Sequence, residues 1–227
     1  MRQTFVILLL LLAANSAHGA SFSCKASLSP DEKVVCHDPL ISSLDTRLGD
    51  AYLAAKQDDP ETALQASRDF QADRKSCGSD RACVLATYVA ILVTLNGPDA
   101  LPKEITAGSI AAGRKLPLTG LPNTLGKCVS TTVTEVHPRL EGSTPPKSED
   151  FDSGTGIEFA NDGYQVSYAR EEALISSRPG DKVTMCLISI PHRCPPDDDR
   201  GRGYLTTNLR TGQSWAMGDS QHICGGQ

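Results

Sequence analysis

Between residues 40 and 95, apolar positions recur at three- and four-residue steps: Ile41, Leu44, Leu48, Tyr52 and Ala55, with Asp45, Arg47, Asp50 and Lys56 set against them. This spacing predicts an amphipathic helix with one face built for burial and Asp45 on the polar side. Asp58-Asp59-Pro60 interrupts the pattern, with Asp59 placed to cap a second helix whose first position is Pro60. That helix runs through Leu64, Ser67, Phe70 and Arg74 to Cys77. The turn GSDRA leads into VLATYVAILVTL, residues 84–95, a third and more apolar helix with Tyr88, Leu92 and Leu95 in step. Turns this short make the three helices antiparallel neighbours.

After residue 95 the period is lost. Residues 96–126 are rich in Gly and Pro and read as a linker or an extended strap. Beyond them the alternation is that of strands. CVSTTVTEV (128–136) is β-branched, and GIEFANDGYQVSYA (156–169) places two runs around a turn at Asn161-Asp162-Gly163. RPGDKVTMCLISIP (178–191) is a turn and a mostly apolar strand, and GYLTTNLRTGQSWAM (203–217) adds two strands around Arg210-Thr211-Gly212. Trp215, the only tryptophan, is expected in the β core. The polar loop 142–156 is expected to be mobile. The fold class is therefore α+β in two parts: an N-terminal antiparallel helical domain and a C-terminal small all-β barrel or sandwich of five or six strands.

Composition adds a compartment. Residues 1–19 carry Arg2, an apolar run from Phe5 to Ala14, and Ala17 and Gly19 at cleavage-like spacing, the pattern of a signal peptide. No stretch reaches the length of a membrane-spanning helix. The expected division is a signal peptide at 1–19, a helical domain at 20–97, a linker at 98–126 and a β domain at 127–227, in a secreted or periplasmic protein. All eight cysteines, Cys24, Cys36, Cys77, Cys83, Cys128, Cys186, Cys194 and Cys224, follow the leader, and their even number in an exported chain predicts disulfides. Both halves are small enough to need such staples. Loss of the leader removes Arg2 and no acidic group, leaving 21 basic against 27 acidic residues, a net of −6. That balance argues against nucleic acid and suits a basic partner.

Candidate chemistry is sparse. His192 and Cys194 are too isolated for a zinc site. PPDDDRGRG (195–203) lacks the spacing of a calcium loop, and its arginines compete as internal partners. No serine elbow or phosphate loop is present, so no cofactor, metal or enzymatic activity is expected.

One resemblance stands out. Cys24, Ala26, Glu32-Lys33, Cys36, Asp38-Pro39, Leu44-Asp45, Leu48, Tyr52, Leu64, Phe70, Arg74, Cys77, Cys83, Tyr88 and Leu95 follow one another as in the LprI-like lysozyme-inhibitor domain, which residues 22–95 resemble. Phe70 stands where that family usually has Trp, Ser67 where Gln is common and Ile91 where Arg is common. The resemblance implies a non-enzymatic exported protein that occludes a lysozyme or another basic cell-wall hydrolase. An alternative is an envelope module whose β domain binds a glycan or a protein. In the first case Lys25, Lys33 and His37 would approach the hydrolase's catalytic carboxylates, while Asp31, Glu32 and Asp38 would meet its basic rim. The plainer reading makes Glu32 and Lys33 an exposed pair on a short helix begun by Ser29-Pro30, with Val34 and Val35 turned inward. Local bridges, Cys24 with Cys36 and Cys77 with Cys83, compete with a Cys36–Cys77 bridge between helix ends.

Overall fold

The computed structural model describes residues 21–97, 101–140 and 142–226. The proposed signal peptide lies outside them.

Four helices come first: α1 (Pro30–His37), α2 (Pro39–Asp58), α3 (Pro60–Ser76) and α4 (Arg81–Asn96). Each of α1 to α3 begins with proline, whose missing N–H is no loss in a first turn. Asp38 caps α2 through the Ile41 amide at 3.0 Å, and Asp59 caps α3 as expected, accepting from the Thr62 amide and hydroxyl. Asp80 caps α4 through the amides of Ala82 and Cys83.

The buried stripe of α3 is Ala63 and Phe70. Leu64, one of the positions that trace this helix in the sequence, is 42% exposed. Helix α4 shows why its sequence is apolar all round: Ala82 through Val89, with Ile91 and Leu92, is buried, because α2 and α3 cover one side and the strand Lys182–Ser189 covers the other.

That strand is β4 of a closed antiparallel barrel formed by β1 (Cys128–Pro138), β2 (Thr155–Phe159), β3 (Tyr164–Ser167), β4, β5 (Gly203–Asn208) and β6 (Ser214–Gly218). The barrel order is β1-β2-β3-β6-β5-β4. Both expected hairpin turns form, with Asp162 at φ +62° and Gly212 at φ +72°. Register places Val129, Met185, Thr206 and Trp215 opposite one another across four strands. Their layer is closed by Gln165, whose Oε1 accepts from Trp215 Nε1 (2.9 Å) and Thr206 Oγ1 (2.7 Å). Gln165 Nε2 donates to the carbonyls of Tyr204 and Met217, so a fully buried amide is satisfied at both ends.

β4 is buried on both faces. Alternation sends Met185 into the barrel and Cys186 outward, its sulfur 3.3 Å from the Ala107 carbonyl. Ala107 begins a one-turn helix, α5 (Ala107–Ala111), in the segment read as a linker or strap. Ile105, Ala107 and Ile110 are buried there, and the helical half and the barrel share one continuous hydrophobic core. The stretch therefore packs as a strap. Its single turn is too short to show a period. Gly126 closes it at φ +74°, where an added Cβ would lie 2.4 Å from the Cys83 amide nitrogen. The barrel half also carries the short helix α6 (Glu172–Ile175) and two 3-10 turns, Ser148–Ser153 and Cys224–Gly226. The polar loop 142–156 is tied down by Asp150, which accepts from Ser143 and Lys147.

All eight cysteines are paired: Cys24–Cys36, Cys77–Cys83, Cys128–Cys186 and Cys194–Cys224. The N-terminal bridges take the local arrangement. Among the described residues no helix is long and apolar enough to cross a membrane.

Candidate functional site

The residues chosen from the sequence for partner binding divide sharply. Lys25, Lys33 and His37 are exposed. Lys25 lies in the loop closed by Cys24–Cys36, and Lys33 and His37 stand one turn apart on α1, where His37 Nδ1 is 2.6 Å from the Lys33 carbonyl. Of the acidic group expected beside them, Asp31 is buried and Glu32 and Asp38 are engaged in bonds within the protein. Asp31 is 2% exposed and accepts from Arg74 Nε at 2.8 Å. Glu32 accepts the Ser29 amide at 2.8 Å, which holds its carboxyl below the usual range. Asp38 caps α2 and pairs with Arg81 at 2.5 Å. Carboxylates beside helix N-termini are drawn to the open N–H groups there, and that local demand takes precedence over display to solvent.

Asp45 is the second correction. It lies 4% exposed inside the helical unit. Tyr88 donates its hydroxyl to Asp45 Oδ1 at 2.7 Å, and Arg74 Nη1 donates to the same hydroxyl at 3.2 Å. The Ser21 amide donates to Asp45 Oδ2 at 2.5 Å. One polar chain thus runs Asp31–Arg74–Tyr88–Asp45–Ser21 and joins α1, α3, α4 and α2. Burial and then the Asp45 carboxylate push the Tyr88 phenol far above its ordinary value. The Arg74 guanidinium lies 5.6 Å from the Phe70 ring centre and 5.8 Å from that of Phe22.

Two hollows open on this unit. One of about 310 Å³ lies over the polar chain, lined by Ser21, Asp45, Tyr52, Phe70 and Arg74 among others. The larger, about 430 Å³, opens where α3 and α4 meet the segment 189–201. Neither is lined by Lys25, Lys33 or His37.

Across the larger hollow, Arg193 makes two 2.8 Å bonds to Asp69, and His192 Nε2 lies 3.1 Å from Asp73 Oδ2. The Arg193 bonds hold the Asp69 carboxyl below its usual range, so at neutral pH it is an acceptor and not a proton donor. Apolar walls come from Phe70, Ile91, Ile190 and Ile223. The Cys194–Cys224 bridge fixes the segment that carries His192 and Arg193. Both residues therefore serve as struts between the barrel and α3, and Cys194 is closed to metal.

In the loop 195–203 the arginines do act as internal partners, Arg200 to Asp198 and Arg202 to Asp199. Among the described residues no group of three or more His, Cys, Asp or Glu is placed to hold a metal ion.

Sequence reasoning missed the polar chain because Asp31 and Arg74 are 43 residues apart, as are Asp45 and Tyr88. The available signal was Asp45 itself, directly after Leu44 and three residues before Leu48, at the edge of the apolar stripe.

Compared with protein-family models, curated proteins and solved structures, the chain matches none. Fold and site define a class on their own terms: a disulfide-stapled α+β protein in which a four-helix unit and a closed six-stranded barrel share one core.

Proposed function

We propose that the chain is an exported, non-enzymatic binding protein of the lysozyme-inhibitor kind, which docks on a lysozyme or a related basic cell-wall hydrolase and covers its cleft. One observation carries the reading. Seven of the residues through which the helical unit resembles the LprI-like domain meet inside it: Cys24, Cys36, Cys77 and Cys83 as two bridges, and Asp45, Arg74 and Tyr88 in the polar chain. Residues that build one interior together are those a shared scaffold would keep, which supports kinship of fold and, through it, of role.

The scaffold also leaves surface for docking. Lys25 and Lys33 are exposed and form no ion pair among the described residues, so either can enter a carboxylate-lined cleft. The acidic contribution shifts to α2 and α3, where Asp50, Asp58 and Glu61 are exposed, as are Lys56, Leu53 (61%) and Leu64. Exposed apolar side chains among charged ones are a common feature of docking surfaces. The Cys24–Cys36 bridge closes the loop that carries Lys25 and Lys33, which lowers the ordering cost of binding through them.

The test is a turbidity assay of bacterial-cell lysis by an animal-type lysozyme, with the purified full-length mature chain added in stoichiometric excess. Slowed lysis that weakens with added salt is expected. Undiminished lysis rules the reading out. Slowing that is indifferent to ionic strength rejects the electrostatic part of it.

A further inference from the structure

The buried chain in the helical unit is one positive charge short. It holds two carboxylates, Asp31 and Asp45, and one guanidinium, that of Arg74. Arg74 bonds Asp31 directly and reaches Asp45 only through the Tyr88 hydroxyl. Among the described residues no cationic side chain forms an ion pair with Asp45. An unpaired carboxylate at this depth is costly, and folds that bury one ordinarily bring a cation to it.

The amide bonded to Asp45 Oδ2 is that of Ser21. The leader-like segment has its cleavage-like spacing at Ala17 and Gly19, so hydrolysis by a leader peptidase and water would break the Gly19–Ala20 bond. The leader leaves with the new carboxylate, and the α-amine of Ala20 takes up a proton at neutral pH. That nitrogen is one residue from an amide already on Asp45, and successive Cα atoms are only about 3.8 Å apart.

We propose that Asp45 is the binding site for the α-ammonium group of the matured chain, so that removal of the leader completes an ion pair inside the helical unit. The pair fastens the strand ahead of Cys24 against α2 and supplies the missing charge. It does not depend on whether a hydrolase is the partner, but it does rest on cleavage of the leader.

The groups facing Asp45 are Tyr88 from α4, Arg74 from α3 with Asp31 of α1 behind it, and Tyr52 of α2 lining the same hollow. All remain present whether or not the amine is blocked, so blocking it isolates the one group in question.

The experiment exports the chain with its own leader from a bacterial host and reads the new N-terminus by intact mass and N-terminal sequencing. The matured protein is then compared in urea with two forms, one Nα-acetylated and one carrying Gly-Ser ahead of Ala20. At pH 7 the free-amine form is expected to have a folding constant about ten- to a hundredfold larger than either, the range for a hydrogen bond to a charged group. An ammonium held by a carboxylate has its folded-state value raised above the ordinary 7.7 to 8.0 or so. The advantage is therefore complete below that range and lost as pH rises through the raised value.

In Asp45→Asn the three forms converge. Should that variant not fold, titration of the Ala20 α-amine by NMR in the native matured chain gives the same answer. An ordinary amine titration, equal stability of free and blocked forms at pH 7, or greater stability in a chain that retains His18 and Gly19 overturns the proposal. A folded chain recovered with its leader intact overturns it as well. Lysis inhibition by these forms bears on the proposed function alone.

Discussion

Replacing Arg74 by Met removes the one cationic side chain from the buried polar chain and keeps most of the side chain's length. Asp31, whose side chain is 3% exposed, then loses its 2.8 Å partner while remaining dry, and the Arg74 side chain is itself only 15% exposed. Removing one partner of such a pair costs about 3–5 kcal/mol, because the remaining charge is left uncompensated. The contacts with the Phe70 and Phe22 rings add at most about 1 kcal/mol. With a urea slope of about 3 kcal/mol per molar, at the upper end for small proteins, the midpoint falls by about 1–2 M. The control is Arg193→Met, which breaks a two-bond ion pair with Asp69 whose arginine is 60% exposed. Exposed pairs are screened and cost entropy to hold, so this midpoint stays near that of the parent. The assay is urea unfolding followed by circular dichroism, with Asp31→Asn and the Asp31→Asn/Arg74→Met double variant measured to isolate the coupling. A fall for Arg74→Met no larger than that for Arg193→Met refutes the assignment of the chain as a structural centre.

Further outcomes follow from other features. Gly126→Ala places a Cβ at 2.4 Å from the Cys83 amide nitrogen at φ +74° and is expected to cost about 3 kcal/mol, whereas Gly212→Ala, at φ +72° in open space, costs about 1; thermal melts separate them. Replacing both cysteines of the Cys128–Cys186 bridge, which spans 58 residues, costs about 4 kcal/mol, against about 2 for the Cys77–Cys83 bridge that spans 6. Burial raises the phenols of Tyr88 and Tyr204 above the unfolded value near 10. Their contribution is thus complete below pH 10 and lost as pH rises through the folded-state values, and ultraviolet absorbance of the native protein should show both ionising together with unfolding.

Local chemistry was legible where it acts within a few residues. Asp59-Pro60 announced α3, Asp162-Gly163 and Thr211-Gly212 announced their turns, and the run from Val84 to Leu95 announced a more apolar helix. What covers α4 was not legible, since its second neighbour is a strand that begins at residue 182. Closure of the barrel was hidden for the same reason: β1 pairs with β4, and β3 with β6, across long separations. The site suffered most. Acidic residues near α1 read as display to a partner because composition cannot separate a cap from a rim, and Asp45 read as polar surface because a helical wheel has no place for a buried carboxylate met by Tyr88 from 43 residues away.

Helix α4 has a consequence for biogenesis. A chain synthesised from its N-terminus brings out the helices first, yet the outward side of α4 gains its cover only when β4 has also emerged. Until then an apolar helix face is open to water and to other chains, the situation in which aggregation competes with folding. The first half must therefore be shielded while the second is made. A host producing it should give more folded protein when a holding chaperone is abundant in the compartment where folding takes place.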